Sequence, residues 1–185
     1  MARKIITFLI LMLLFSWQAQ AGESEFPLFK LGAGGRAIGM GAAYTGVADD
    51  ATAIFWNPAG MSQIRNRFSF EFSNRLHFQD SKFLEFYGVY SDIRYGAFGV
   101  GFISDQTSDI LAYDAGFNYL DNFSAYQRAF MIGYAYNLAP INIGLSLSSV
   151  QAGLDPPQGK VSGSGMTVTF GLLTRVTNYF KIGST

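Results

Sequence analysis

Large apolar residues alternate with small or polar ones through much of this chain, and this pattern constrains the fold more than any other feature. The alternation is strict in 67–73, 141–148 and 165–173, and weaker in 83–91, 95–104 and 126–137. A period of two is typical of β-strands, because successive side chains point to opposite faces of a sheet. The sequence therefore predicts an all-β, antiparallel fold. Its predicted strands are 67–73, 83–91, 95–104, 126–137, 141–150, 165–175 and a last one from 179 onward.

The composition of the two faces indicates a membrane environment. One face is large and apolar, and the other carries Ser, Thr, Gly and Asn, while only 14% of the 185 residues are charged. A water-facing sheet normally carries more charge. An apolar outside with a polar inside is typical of transmembrane β-barrels, whose closed sheet pairs every backbone group in lipid. The predicted connections also alternate long and short, as in outer-membrane barrels, where the short turns face the periplasm. We therefore expect an up-and-down barrel in the bacterial outer membrane, with outer-membrane lipid as a partner.

Residues 1–21 have the layout of a secretory signal peptide. Arg3 and Lys4 precede an apolar run at 5–15, and Ala19 and Ala21 form a small-x-small cleavage site. An N-terminal membrane anchor is the alternative, but the run is shorter than the ~20 residues that span a bilayer as a helix. We expect export and cleavage after Ala21.

The predicted strand count suggests that more of the barrel follows. Bacterial single-chain barrels have even strand numbers, whereas seven strands are predicted here and the last is barely begun. We expect the N-terminal part of a longer barrel. The alternatives are an eight-stranded barrel with a poor last strand, or a truncated product without function.

Residues 22–65 lack strict alternation and contain three motifs. They are GRAIGMGAA (35–43), ADDATA (48–53) and WNPAG (56–60). The last predicts a rigid turn, because proline fixes φ and glycine permits a tight bend. Asp49 and Asp50 could bind a metal or act as solvated or capping groups, and Arg36 could pair with either of them or meet a carboxylate ligand. GAGGRA (32–37) matches a dinucleotide-binding pattern only formally, because no strand precedes it and no βαβ unit follows.

In this order the three motifs resemble the N-terminal plug of the FadL-type outer-membrane transporters and of their PorV/PorQ-type relatives. The resemblance implies a fourteen-stranded barrel, with 22–65 as a plug (hatch) and 66–185 as about the first seven strands. FadL-type members pass hydrophobic compounds such as long-chain fatty acids, and PorV-type members carry exported proteins for a type IX-like secretion system. The 57–59 turn would be an anchor for the plug or a movable gate. The plug-motif residues are Arg36, Asp49, Asp50, Asn57, Pro58 and Ala59.

The sequence offers little for catalysis. His77 is the only histidine, and cysteine is absent, so neither a metal cluster nor a thiol nucleophile is expected. A Ser–His arrangement with Ser73 or Ser81 has no local support. The formal net charge of zero argues against nucleic-acid binding. We expect no enzyme activity and no cofactor or metal.

The expected function is passage or carriage of hydrophobic small molecules across the outer membrane, and the alternative is a PorV-like secretion role with other secretion proteins as partners. Aromatic residues in or near the predicted external loops could form a landing surface for apolar ligands, or an interfacial belt. These candidates are Phe78, Phe83, Tyr113, Phe117, Tyr119 and Phe123.

Overall fold

The computed structural model describes residues 26–76, 81–157, 159–177 and 179–185. Over these residues the chain forms a seven-stranded antiparallel sheet in which each strand pairs with the next along the sequence. The sequence-based prediction of an antiparallel sheet with seven strands is confirmed. The strands are β1 (Phe68–Leu76), β2 (Lys82–Asp92), β3 (Gly96–Tyr113), β4 (Tyr119–Leu138), β5 (Ile141–Leu154), β6 (Val161–Arg175) and β7 (Lys181–Ser184).

Residues 26–64, which we call the N-terminal segment, precede the sheet and pack against one of its faces. We call this the inner face, and the opposite one the outer face. Both 3-10 helices of the segment begin with proline, which suits a first helical position because its missing N–H has no partner there. The helical elements are Pro27–Leu31, Gly35–Gly39, Ala53–Trp56 and Pro58–Gln63.

The strand register divides the side chains as the alternation predicted. Phe86 lies opposite Phe102, which lies opposite Phe130, and all three are on the outer face. Their neighbours in the chain, such as Glu85 and Ala129, are buried on the inner face. Many large apolar side chains of the outer face are exposed. They include Phe68, Phe70, Phe72, Phe98, Val100, Phe130, Ile132, Tyr134, Leu145, Met166, Val168 and Phe170.

The hairpin of β3 and β4 corrects one prediction. The sequence predicted a long connection at 105–125, but β3 continues to Tyr113 and β4 begins at Tyr119. The register shifts between Thr107 and Ile110, and Asp109 has a φ of 57°. Such a bulge adds a residue to one strand and reverses which side chains face inward. The period-two pattern is therefore interrupted inside a continuous strand, and the sequence gives no alternation to follow.

The connection predicted at 151–164 is also shorter, because β5 extends to Leu154 and β6 starts at Val161. The difference in length between the connections at the two ends of the sheet is therefore smaller than predicted. The end that carries the connections 93–95, 139–140 and 176–180 is called the short-turn end. The end that carries 114–118 and 155–160 is called the hairpin end.

The core lies between the N-terminal segment and the inner face. Ile54 and Met61 are fully buried, and they sit over Gly99 and Gly133, where an added Cβ would meet the Met61 sulfur or come within 3.2 Å of Ile54. Glycine on the sheet thus makes room for large side chains of the segment. No helix within the described residues is long and apolar enough to cross a membrane.

Candidate functional site

The plug-motif residues form two clusters in the N-terminal segment. Arg36 lies in the Gly35–Gly39 helix, and Asp49 and Asp50 lie on the turn before the Ala53–Trp56 helix. Arg36 Nη1 is 2.5 Å from Asp49 Oδ1 and 3.5 Å from Asp50 Oδ2. The structure thus shows the pairing of Arg36 with both aspartates that the sequence left as one of two options.

Tyr44 joins this first cluster although the sequence analysis did not single it out. Arg36 Nη1 donates a hydrogen bond to the Tyr44 hydroxyl at 2.8 Å, and that hydroxyl donates to Asp50 Oδ2 at 2.5 Å. Asp50 Oδ1 also accepts from the Thr52 N–H at 3.0 Å and from its hydroxyl at 2.6 Å. Burial and the hydrogen bond to Asp50 raise the pKa of the Tyr44 phenol above its usual value, so the phenol remains a donor at neutral pH.

Solvent limits what the ion pair adds to stability. Arg36 and Asp49 are 52% and 36% exposed, and exposed pairs contribute only about 1 kcal/mol or less. Asp50 has both oxygens committed to Tyr44 and Thr52. The bonds from Thr52 to Asp50 Oδ1 close a local turn of the kind that aspartate side chains form with the backbone two residues on.

The second cluster is the Asn57-Pro58-Ala59 turn, which is fully buried. Asn57 Nδ2 donates to Thr45 O at 2.9 Å and to Leu172 O of β6 at 3.0 Å. Asn57 Oδ1 accepts from the Ala59 N–H at 3.1 Å. One side chain therefore closes its own turn, ties it to the preceding loop and fixes it to the sheet. Whether the turn acts as an anchor or as a movable gate stays a prediction.

Two glycines let this turn lie against the sheet. A Cβ added at Gly144 of β5 would collide with the backbone of Pro58 and Ala59, and one at Gly171 of β6 would collide with Asn57 Oδ1. Gly144 and Gly171 are directly opposite each other in the register. The pair forms a flat patch that only glycine supplies, because any side chain would occupy the space of the turn.

A third cluster, which the sequence analysis missed as a site, lies beneath residues 31–34. Glu85 of β2 is fully buried, and both of its oxygens accept from the Gly34 N–H at 3.2 Å. The Tyr87 hydroxyl donates to Glu85 Oε2 at 3.0 Å. The signal in the sequence was a lone carboxylate on an otherwise uncharged face of a strand.

Arg75 of β1 completes the third cluster. Its Nε is 3.7 Å from Glu85 Oε1, its Nη2 donates to Gly32 O at 2.9 Å, and its guanidinium carbon lies 4.0 Å from the Phe83 ring centroid. A half-buried cation, 22% exposed, is held here by a carboxylate, a carbonyl and an aromatic face. The cluster therefore fixes the 31–34 loop on β1 and β2 as Asn57 fixes its turn on β6.

The aromatic ligand candidates are not in one place. Phe83 is buried on the inner face, whereas Tyr113, Phe117 and Tyr119 are exposed at the tip of the β3–β4 hairpin, where the rings of Tyr113 and Tyr119 are 6.0 Å apart. Phe123 is half-buried in β4. Their binding of an apolar ligand stays a prediction. Phe78, the lone His77, and the cleavage residues Ala19 and Ala21 lie outside the described residues.

Cavities of moderate size lie where the N-terminal segment meets the short-turn end. One of about 450 Å³ is bounded by Asp49, Asp50, Gln63, Arg65 and Arg175 among others. Within the described parts of the chain, no three His, Cys, Asp or Glu residues are grouped so as to hold a metal ion. No protein family, curated protein or solved structure matches this chain.

Proposed function

We propose that this chain belongs to an outer-membrane β-barrel, with the N-terminal segment as its plug, that passes or carries hydrophobic cargo such as long-chain fatty acids. The membrane part of the proposal rests on one observation, the apolar outer face. The cargo is proposed from the resemblance of the 35–60 motifs to the FadL-type plug.

The outer face is too apolar for water. Phe70, Met166 and Val168 are 68%, 69% and 68% exposed. They belong to an apolar surface that continues across β1–β6. Soluble monomers rarely expose apolar patches beyond a few hundred Å². Lipid is a partner of the right chemistry, because neighbouring strands pair their backbone groups with each other and the exposed side chains in the middle of the outer face are apolar.

Charge on the outer face is confined to its margins. In the register of β2 the outward positions run from Lys82 to Asp92, with only uncharged residues between them, and on β4 the outward Arg128 lies on the hairpin side of Phe130. A band without charge, bordered by charged residues, is what a bilayer requires of a barrel wall.

The inner face suits a plugged interior. Its small residues and its buried polar groups are covered by the N-terminal segment through Asn57, Glu85 and Arg75. A segment held by these contacts would block water while leaving cargo to enter from the hairpin end. No covalent chemistry is required for such a role.

The first test places probes on adjacent residues of β6. The chain has no cysteine, so Val168→Cys and Thr167→Cys each provide one labelling site, outward and inward respectively. With an environment-sensitive fluorophore and lipids brominated on their acyl chains, we expect strong quenching at 168 and weak quenching at 167. Equal quenching at the two sites would contradict the membrane orientation.

The second test measures uptake of a labelled long-chain fatty acid. Cells that lack the gene should lose uptake, and the natural gene should restore it. Asn57→Ala removes the bonds to Thr45, Leu172 and Ala59, so we expect it to restore uptake poorly, whereas Lys82→Gln at the exposed start of β2 should restore it fully. Protein levels in the outer-membrane fraction serve as the control for assembly.

Unchanged uptake in cells without the gene would overturn the fatty-acid proposal. The PorV-like secretion role would then be the better hypothesis, and co-purification with other envelope proteins would test it.

A further inference from the structure

Three arginines surround a cavity at the short-turn end. Arg65 and Arg67 lie in the short stretch between the N-terminal segment and β1, and Arg94 lies in the turn between β2 and β3. The cavity has a volume of about 450 Å³. It is lined by Arg65, Arg67, Ser91, Asp92, Ile93, Arg94 and Tyr95.

The positive charge of this cavity is only partly neutralised by the residues that the structure describes. The carboxylate in the lining is Asp92, and its Oδ1 accepts from the backbone N–H groups of Arg94 at 2.8 Å and Tyr95 at 3.2 Å. Within the described ranges, no carboxylate oxygen lies within 4.0 Å of a side-chain nitrogen of Arg65, Arg67 or Arg94. Three guanidinium groups therefore share one carboxylate that is already engaged by the turn.

The surroundings are apolar and aromatic. Ile93 is 102% exposed and Tyr95 66% exposed. Arg67 donates a hydrogen bond to the Tyr90 hydroxyl at 3.1 Å, and its guanidinium carbon lies 5.6 Å from the Tyr90 ring centroid. Tyr90 in turn packs against Phe68 of the outer face at 5.2 Å. The cations thus stand at the edge of the apolar outer face rather than on a wholly polar surface.

The two ends of the sheet differ in charge. The short-turn end also carries Arg175 and Lys181, which line the neighbouring cavity together with Arg65. The acidic residues concentrate at the hairpin end. They are Asp105, Asp109, Asp114, Asp121 and Asp155. The short-turn end also carries Asp49, Asp50 and Asp92, and the hairpin end also carries Lys82, Arg128 and Lys160. The two ends therefore differ in the balance of charge, with cations in excess at the short-turn end, which favours the approach of an anion there.

We propose that Arg65, Arg67 and Arg94 bind the phosphate of an anionic phospholipid headgroup at the short-turn end. The inference rests on the proposed membrane location. Guanidinium groups bind phosphate through paired N–H donors, and the exposed Ile93 and Tyr95 meet the glycerol and upper acyl region, where aromatic side chains favour the interface. A soluble anion would satisfy the cations but leave these two side chains in water, so a lipid fits better than a free phosphate.

The orientation follows from the same site. Phospholipid headgroups at the short-turn end place the connections 93–95 and 139–140 at the periplasmic leaflet and the acidic hairpin end outside. This agrees with the expected orientation of short periplasmic turns.

The test uses the full chain in lipid nanodiscs made from phosphatidylcholine and phosphatidylglycerol in equal amounts. After mild extraction, mass spectrometry counts the lipids that stay bound. We expect the natural protein to retain phosphatidylglycerol preferentially. The variant Arg65→Gln/Arg67→Gln/Arg94→Gln should lower this preference by about tenfold, because each cation near the headgroups adds to the attraction.

The control variant Lys30→Gln removes one positive charge from an exposed position of the N-terminal segment, away from the margins of the outer face, and should retain the preference. Arg94→Gln alone changes only an exposed turn and should lower the preference by about threefold, which provides a test that does not depend on the folding of the triple variant.

Three results would overturn the inference. They are an unchanged preference in the triple variant, an equal loss in the control variant, and displacement of phosphatidylglycerol by inorganic phosphate or by lipopolysaccharide. Insertion into pure phosphatidylcholine, read from the Val168 probe, separates this failure from that of the proposed function. A chain that inserts without lipid preference overturns only the inference, and a chain that does not insert overturns both.

Discussion

Replacing Gly171 with valine is expected to displace the N-terminal segment from the sheet. A Cβ at this position would overlap Asn57 Oδ1 and come within 2.9 Å of Ala59 N and Pro58 Cδ. The colliding atoms belong to a buried turn whose Asn57 also bonds to Thr45 and Leu172, so the turn cannot move without breaking those bonds. We expect a loss of at least about 3 kcal/mol in the free energy of unfolding, from overpacking and lost hydrogen bonds together.

Gly163→Val is the matched control for this substitution. Gly163 lies on the same strand and the same face, and a Cβ there would meet nothing within 4 Å. Valine is favoured over glycine in strands, so this control should be neutral or slightly stabilising. If both substitutions destabilised equally, the effect would belong to the strand and not to the turn.

The fluorescence of Trp56 can report whether the N-terminal segment is packed against the sheet. The sequence has two tryptophans, and Trp17 lies in the signal peptide predicted at 1–21, so Trp56 is the single tryptophan expected after cleavage. Its Nε1 donates to Ala33 O at 2.8 Å, and its ring lies 5.2 Å from that of Phe55. We expect Gly171→Val to lower the urea midpoint of the Trp56 fluorescence change and to increase the quenching of Trp56 by acrylamide.

Glu85→Leu is expected to have the second large effect. The substitution leaves the Gly34 N–H and the Tyr87 hydroxyl without their acceptor, and it leaves the half-buried Arg75 without its carboxylate. Each buried donor left without an acceptor costs about 1–3 kcal/mol, so we expect the two donors and the partly uncompensated cation together to lower the free energy of unfolding by about 3–5 kcal/mol. The measurement is the free energy of unfolding, again followed at Trp56, whose indole bonds to the 31–34 loop.

A double-substitution cycle identifies the cause of that loss. Arg75→Met/Glu85→Leu removes both charges and should recover the part of the loss that comes from the uncompensated cation, while the Gly34 N–H and the Tyr87 hydroxyl stay without their acceptor. Asp121→Leu on β4 removes one negative charge from an exposed position and should change stability by less than about 0.5 kcal/mol. A double variant as unstable as Glu85→Leu would show that the ion pair is not the reason.

How far the sequence predicts this fold can be seen in the strands. The alternation in 67–73 and 165–173 was enough to predict two strands and the face that each residue occupies, because a side-chain period of two follows from backbone geometry alone. The same rule failed at 105–125. There the bulge near Asp109 reverses the phase, and both faces lie beyond the contact with the N-terminal segment, so no apolar pattern marks the strand.

The candidate site was predictable in part. Asn57-Pro58-Ala59 was recognisable as a turn because proline restricts the local backbone, and the pairing of Arg36 with the two aspartates was one of the options the sequence left open. The sequence did not predict that the Asn57-Pro58-Ala59 turn packs against the flat patch of Gly144 and Gly171. Each glycine is more than 80 residues from the turn, and glycine in a strand has many other causes.

The sequence by itself determined the antiparallel sheet and its two faces, because these depend on local periodicity. Only the tertiary structure decided which loop rests on which strand. It brought Gly34 to Glu85, Asn57 to Leu172 and Arg94 to Arg65, because contacts between distant residues depend on the curl and register of the whole sheet, and no local pattern records them.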